Sequence, residues 1–517
     1  MAKVNLKTLG RNSLFAGLAE VWRILSRFIL TPVIIGVLGL EGYGVWTLVF
    51  SVAAYVSMVN ASFGAAYVKF TAECVRNDEW DRLSKILGSG MTGIGSVAML
   101  GVFGAYWLGE PILRGLNTPP ELMQDARWAL VIVMTCLVLR MTVGCTLEML
   151  AGLQRIDLTY RLYILASVIE FCISLPLLLS GHGLVGLAIG HAAGQITIDI
   201  LAYGLVRKHA PRVRISPFMV SREGLRLVFS VGGKFQLLSF VNTIVMQGVK
   251  FLLAALIGPR WVGVYELADK LINLGKSMSA SVVAPLMPAF ADLQAGLEAV
   301  RERKLFLQGS KALTVVGGGA FAFLAVFAAP ALLAWTGELV PQAAWALQVL
   351  AAGEVAMLLT GVVSANLRAR GHIGLELTCA LVATGTLLVT VWPLTTWLGF
   401  EGVIYARLGS QIVGATWYLR AYARFAQLPT REYVRGIALM RVVLVLGSAG
   451  AVVLLGSHFV TLPGLDALSD RWQAAVTVVA WSLPYAAILL AGVWHAVFDD
   501  EERAKVAGVL ARFRRPR

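Results

Sequence analysis

Only 14% of the 517 residues are charged, against roughly a quarter in soluble globular proteins. That shortage excludes a water-exposed surface over most of the molecule. Cysteine is scarce as well. Cys74, Cys136, Cys145, Cys172 and Cys379 form no CxxC or histidine-spaced cluster, so neither a disulfide framework nor a metal site is expected. No GxxxxGK[ST] loop and no HExxH occur, which removes the residues that ATP-driven pumping or metalloprotease chemistry would need. The polar segments are short too. On the expected non-cytoplasmic side the longest run about 109–125 and 460–473, too small for an independent catalytic domain. The six histidines (182, 191, 209, 372, 458, 495) read as loop or interface residues rather than ligands.

What is abundant is apolar sequence: 58% hydrophobic residues and a mean hydropathy of +0.74. The apolar residues fall into runs of roughly 20–28, the length that crosses a bilayer core as helix. This pattern predicts an all-α polytopic membrane protein with about fourteen transmembrane helices between residues 12 and 497. With the N-terminus placed in the cytoplasm, 31 of the 44 Lys and Arg lie in segments on that side. Arg114, Arg260 and Arg471 alone lie opposite, and the rest fall within spans. This asymmetry puts both termini in the cytoplasm. It also explains the net charge of +14 without a nucleic-acid partner. The basic start MAKVNLKTLGR leads into a run too long for a signal peptide, so it reads as a retained first helix.

The chain also repeats itself. GLEGYGVW at 39–46 matches GPRWVGVY at 258–265 with an offset of 219, pairing Gly39 with Gly258 and Gly44 with Gly263. GLVGLAIGHAAGQ at 183–195 echoes GFEGVIYARLGSQ at 399–411 with an offset of 216, pairing His191 with Arg407 and Gln195 with Gln411. Matching positions at nearly one offset predict two parallel six-helix repeats plus two C-terminal helices, the repeats related about the membrane normal with a site between them. The expected organisation is an N-terminal lobe at 1–206, a basic cytoplasmic linker at 207–226, a C-terminal lobe at 227–420, two extra helices within 437–497 and a basic tail at 498–517. Segments 71–87 and 292–308, with Trp80, Leu83, Ile86, Leu305 and Phe306, read as amphipathic helices on the cytoplasmic interface, and the tail as a further lipid-facing segment.

Charges inside the spans single out the candidate site. Glu20, Arg23 and Arg27 share one face of the first span. Lys250 lies in span seven; Asp269, Lys270 and Lys276 lie in span eight. Charges at such depth face a bundle interior or a water-filled cavity rather than lipid. The local excess of cations suits an anionic headgroup, and arginine can grip phosphate with two parallel hydrogen bonds. Arg23, Arg27, Lys250, Lys270 and Lys276, with Arg140 and Arg407, are therefore the candidate substrate-binding residues. Glu20, Glu170, Glu354 and Asp269 are candidates for ion coupling, because a carboxylate at membrane depth can carry a proton or a cation. Self-neutralising pairs such as Glu20–Arg23 and Glu266–Lys270 remain an alternative, and Arg441 reads as an interface anchor.

The stretch RNSLFAGLAEVWRILSRFILTPVIIGVLGLEGYGVWTLVFSVAAYVSMVNASFGAAYVKFTAE carries Pro32, Gly39, Glu41, Tyr43, Gly44, Trp46, Phe63, Gly64 and Lys69. In these it resembles the polysaccharide-transport branch of the multidrug/oligosaccharidyl-lipid/polysaccharide exporter superfamily. The resemblance implies a flippase, not an enzyme, in the bacterial cytoplasmic membrane. It would move a polyprenyl-pyrophosphate-linked oligosaccharide, an O-antigen or exopolysaccharide repeat unit, by alternating access. No cofactor is implied beyond an H⁺ or Na⁺ gradient. Implied partners are membrane lipids and polysaccharide polymerase and export machinery. It also implies that arginines of the first span contact the pyrophosphate, and Arg23 and Arg27 are the positions that match. The competing readings are a cation-coupled drug or metabolite exporter of the same superfamily, a membrane glycan polymerase or ligase, and a scaffold subunit of an assembly complex.

Overall fold

The computed structural model describes residues 6–296, 298–372, 374–459, 469–504 and 507. The side chains of residues 6–16, 18–20, 23–24, 58–62, 65, 228–242, 245–246, 430 and 458–459 lie outside that description. The described residues form helices, turns and loops with no strand. Two compact units result, Met1–Gly263 and Val264–Arg517.

The first unit holds α1 (Leu6–Arg76), α2 (Trp80–Gly115), α3 (Pro120–Val143), α4 (Cys145–Gly152), α5 (Ile156–Leu179), α6 (Gly183–His209) and α7 (Arg222–Ile257). α8 (Pro259–Val283) begins within it. The second unit continues with α9 (Leu286–Ala295), α10 (Ala299–Val326), α11 (Ala328–Thr336), α12 (Pro341–Ala369), α13 (Gly374–Leu398), α14 (Phe400–Phe425), α15 (Thr430–Gly436), α16 (Leu439–Phe459) and α17 (Asp470–Gly492), which ends in a π-helical turn at Val493–Val497.

Among the described residues ten helical segments are long and apolar enough to cross a membrane. α8 and α14, both expected as spans, are not among the ten, because their charged and polar residues dilute the apolar ones. Exposed Trp107, Trp397 and Trp472 sit at the ends of α2, α13 and α17 that the charge pattern assigns to the non-cytoplasmic side. Tryptophan collects at such interfaces because its ring is apolar and its N–H is polar.

α1 is broken at Gly39 (φ 68°, ψ 177°), and α7 is separated from α8 by Gly258 (φ 100°, ψ 163°). Both glycines occupy a backbone region that side-chain-bearing residues essentially never adopt. The two positions matched by the repeat thus share one conformation. The turns also dock on each other reciprocally. A Cβ on Gly44 would collide with the Pro259 carbonyl, its carbon 2.7 Å away, and one on Gly263 would collide with that of Leu40. α5 and α13 extend the repeat. Each carries an internal proline, Pro176 and Pro393, and each is approached by a glycine of the following helix: Gly186 against Leu177, Gly402 against Leu394.

The compact units divide past the basic linker. After α6 the chain folds back onto α2, where Arg214 N–H donates to Ser84 Oγ (3.0 Å) and Ser221 N–H to Ser89 Oγ (2.8 Å). Ser221 then caps α7 by accepting from Gly224 N–H at 2.9 Å. α7 packs along α1 and α2.

The two expected interfacial segments instead run from the end of α1 into the start of α2, and from the end of α9 into the start of α10. Leu83 and Ile86 are buried against Phe63, Tyr67 and Phe70, and Phe306 stacks between Tyr422 (5.2 Å) and Tyr433 (5.5 Å). Their apolar face meets protein rather than headgroups. The tail is likewise tied down at its start. Lys304 pairs with Glu501 (2.5 Å) and Lys311 with Glu502 (2.9 Å). Arg503 and Arg441 donate to the carbonyls of Trp494, His495 and Ala496, which the π-turn leaves open.

Candidate functional site

Each unit contains a cavity with charged side chains from membrane helices in its wall. In the first, Arg140 in the last turn of α3 reaches α6, where its Nη1 lies 2.9 Å from Asp199 Oδ1. Its Nη2 donates to the Tyr163 hydroxyl of α5 at 3.3 Å. Further along the same two helices, His191 Nδ1 lies 3.1 Å from Glu170 Oε1. The His191 ring stands edge-on to Phe50 of α1, centroids 5.0 Å apart. A cavity of about 200 Å³ lies among Phe50, Ser57, Cys136, Arg140, His191 and Gln195.

In the second unit Lys276 of α8 places Nζ 2.8 Å from Glu354 Oε1 on α12. The same oxygen accepts from Gln411 Nε2 of α14 at 2.7 Å. Lys276 and Glu354 line a cavity of about 420 Å³ together with Met287, Leu313, Phe321 and Leu358. The wall continues to a second pair, Arg368–Glu376, at 2.5 Å. Glu354 and Arg368 lie 14 residues apart on α12, about 21 Å along its axis. The cavity is therefore elongated, apolar along its flanks and ionic at two levels.

The two cavities occupy the same register of the repeat. Pro120 and Pro341 each open their helix, which fixes an offset of 221 between α3 and α12. Leu137 and Arg140 in the first cavity then correspond to Leu358 and Gly361 in the second. The offset of 219 carries Ser57 onto Lys276, and the offset of 216 carries Gln195 onto Gln411, which donates to Glu354 of the second wall. Position is shared while the charge has moved, from α3 in one unit to α8 and α12 in the other.

The candidate cations are distributed as follows. Arg140 and Lys276 are committed to the ion pairs just described, each within its own unit. Arg27 is exposed and is an electrostatic neighbour of Glu170. Lys250 is buried, Lys270 is half-buried, and both have polar or electrostatic partners. Arg407 is half-buried and an electrostatic neighbour of Tyr265. Among the candidate acids, Glu170 and Glu354 sit in the two networks. Half-buried Asp269 accepts from Asn273 Nδ2 at 3.0 Å, one helical turn away. The side chains of Glu20 and Arg23 lie outside the described residues.

His191, expected as an interface or loop residue, instead enters a cavity wall. Gln411 was visible in the sequence without an assigned role, and the 195/411 echo was the signal available for it. Arg441 donates to the Ala496 carbonyl at the end of α17. Chemically, a Lys–Glu pair inside a largely apolar cavity is an exchangeable element. Its attraction is strengthened by the low local dielectric, yet an incoming anion can take the place of the carboxylate.

Comparisons with known proteins bear on the family and the fold. A family model described as polysaccharide biosynthesis protein matches residues 9–294, more than half of the chain. Comparison with curated proteins finds no match. Among solved structures the chain is similar to the lipid II flippase MurJ in an inward closed conformation. That likeness has a TM-score of 0.71 at 13% identity and covers 92% of this chain and 98% of that one. It is also similar to an inward-facing multidrug resistance MATE family transporter of the MOP superfamily, with a TM-score of 0.67 at 16% identity over 78% and 94% of the two chains. A MOP superfamily transporter from Pyrococcus furiosus, described as having a binding pocket of reverse polarity, gives 0.54 at 16% identity over 82% and 97%. At such identities the structural likeness establishes the fold, and the family match supplies the rest. The chain belongs to the polysaccharide biosynthesis protein family and has the fold of MOP-superfamily transporters and flippases.

Proposed function

We propose that the protein is a flippase that carries a polyprenyl-pyrophosphate-linked oligosaccharide from the cytoplasmic to the periplasmic leaflet of the bacterial cytoplasmic membrane, by ion-coupled alternating access. Both termini are then cytoplasmic. The observation that carries the reading is the Lys276–Glu354–Gln411 network, an ionic group held inside a membrane cavity of a chain from a polysaccharide biosynthesis family. Charges at membrane depth are costly, and their usual place is a substrate or ion path. The prenyl chain stays in lipid while the sugar and pyrophosphate cross. The pyrophosphate competes with Glu354 for the Lys276 ammonium, and Arg368 in the same cavity wall supplies a further cation. A site that held the anion equally in both states would drive no cycle. A resident carboxylate that reclaims the ammonium favours release.

The test uses a deletion strain and asks where the lipid-linked oligosaccharide accumulates. The expected result is an intermediate trapped on the cytoplasmic face, released by the wild-type gene but not by Lys276→Ala or Arg27→Ala at equal membrane abundance. Intermediates that reach the periplasmic face and fail to polymerise would move the protein one step later, to the polymerase reading. No accumulation, with altered drug sensitivity, would point to export of small molecules.

A further inference from the structure

Every lysine and arginine of α10, and both arginines where α12 ends, meets a carboxylate. Arg301 pairs with Glu298 at 2.6 Å, Arg303 with Glu432, and Arg370 with Glu302 at 2.8 Å, besides the pairs of Lys304, Lys311 and Arg368 above. Arg420 and Arg424, at the same end of α14, do not. Among the described residues neither has a hydrogen bond or an ion pair, and both are exposed. They stand one helical turn apart, where like charges repel unless an anion joins them. With Ala423, Gln427 and Pro429 they line a cavity of about 460 Å³. The turn that ends α14 shapes it: Gln427 is left-handed (φ 50°), and Leu428 N–H donates to the Ala423 carbonyl at 3.1 Å.

Further into the membrane the same face of α14 is apolar. Tyr405, Ile412, Val413, Arg420 and Arg424 recur at helical spacing, and all five are exposed. Gln411 precedes Arg420 by about two and a half turns, so it points the opposite way, into the Glu354 network. An exposed apolar stripe on a membrane helix is a surface for lipid, and here its foot is a cavity holding two uncompensated guanidiniums.

We propose that this cavity binds the phosphate of an anionic phospholipid of the cytoplasmic leaflet, with an acyl chain lying along Val413 and Ile412. Arginine takes a phosphate with two parallel hydrogen bonds, and basic pockets on the cytoplasmic side of membrane helices suit such headgroups. A soluble phosphate would meet the same guanidiniums, but it has no apolar part to lay on the stripe, so the lipid is the occupant the surface fits. The site is separate from the transport path: it lies on the face of α14 turned away from Gln411, and it holds whatever the transported molecule is. A lipid seated there would fix the cytoplasmic end of the helix that carries Gln411.

Thermal unfolding of the purified full-length protein in one detergent tests this, with added phosphatidylglycerol, phosphatidylcholine or inorganic phosphate. A lipid present at about ten times its Kd should raise the melting temperature by roughly 3–6 °C. The wild type should show that rise with phosphatidylglycerol and not with phosphatidylcholine. Arg420→Gln with Arg424→Gln should lose it; both side chains are exposed, so their replacement leaves the packing in place. Arg207→Gln with Lys208→Gln removes the same charge from two exposed positions at the end of α6, and should keep the rise. Equal rises in all three proteins would reduce the effect to the general positive field of that face and overturn the site. An equal rise with inorganic phosphate would assign the cavity to a soluble anion and overturn the lipid. A wild type that responds to none of the three overturns the proposal outright.

Discussion

Lys276→Met removes the ammonium and leaves the Glu354 carboxylate with Gln411 alone. The side chains of Lys276 and Glu354 are 26% and 11% exposed, so the pair is mostly withdrawn from water. Breaking a fully buried pair costs about 3–5 kcal/mol, because the remaining charge is stranded. With a quarter of the lysine accessible, the lower end applies, about 3 kcal/mol. For a unit of this size that corresponds to a fall of roughly 6–12 °C in melting temperature. Lys276→Met with Glu354→Gln strands no charge, and the new amide can still meet Gln411. The double variant should therefore return to within about 1 kcal/mol of the wild type. Thermal unfolding of purified protein in one detergent reads the stabilities, and flipping in liposomes reads function. The double variant should be stable and inactive. A double variant as unstable as the single one, or a single variant that melts with the wild type, would refute the assignment of this pair as a charge-compensating element.

Three further perturbations follow from the packing. Gly44→Ala and Gly263→Ala should each reduce the folded, membrane-inserted yield, since backbone must move by more than an ångström. Gly104→Ala, whose Cβ meets nothing within 4 Å, should leave it unchanged under the same fluorescence-detected chromatography. Gly39→Ala forces a residue with a Cβ into the glycine-only region, so it should lower stability by about 1–3 kcal/mol, read as a drop in melting temperature. Glu502→Ala releases Lys311, which is 10% exposed; trypsin should then cut after Arg503 markedly faster than in the wild type.

The all-helical membrane fold was legible because apolar runs of spanning length have few other uses. The glycine pair at 39 and 258 was legible because a backbone region reserved for glycine forces the same residue in both copies. The networks were not. Lys276, Glu354 and Gln411 come from three helices separated by dozens of residues, and nothing local in the sequence says which carboxylate a lysine will meet. The close approach that joins His191 to Glu170 depends on Gly190 and Gly194, which read in isolation as ordinary small residues of a membrane helix. The misread segments at 71–87 and 292–308 have a similar cause. An apolar face that packs on a neighbouring helix and one that lies on lipid carry the same periodicity, so Leu83 and Phe306 could not announce which surface they would meet.

The reciprocal seat of Gly44 on Pro259 and of Gly263 on Leu40 also bears on how the two halves could diverge after duplication. Each turn is the mould for the other. A bulky substitution in one copy cannot be absorbed by relaxation in its own repeat, because the space it needs is filled by its twin's backbone. Drift is therefore free to erase ancestry along the helices, where charges have already changed partners, but not at the place where the copies touch. The oldest readable trace of the duplication survives where neither copy could change alone.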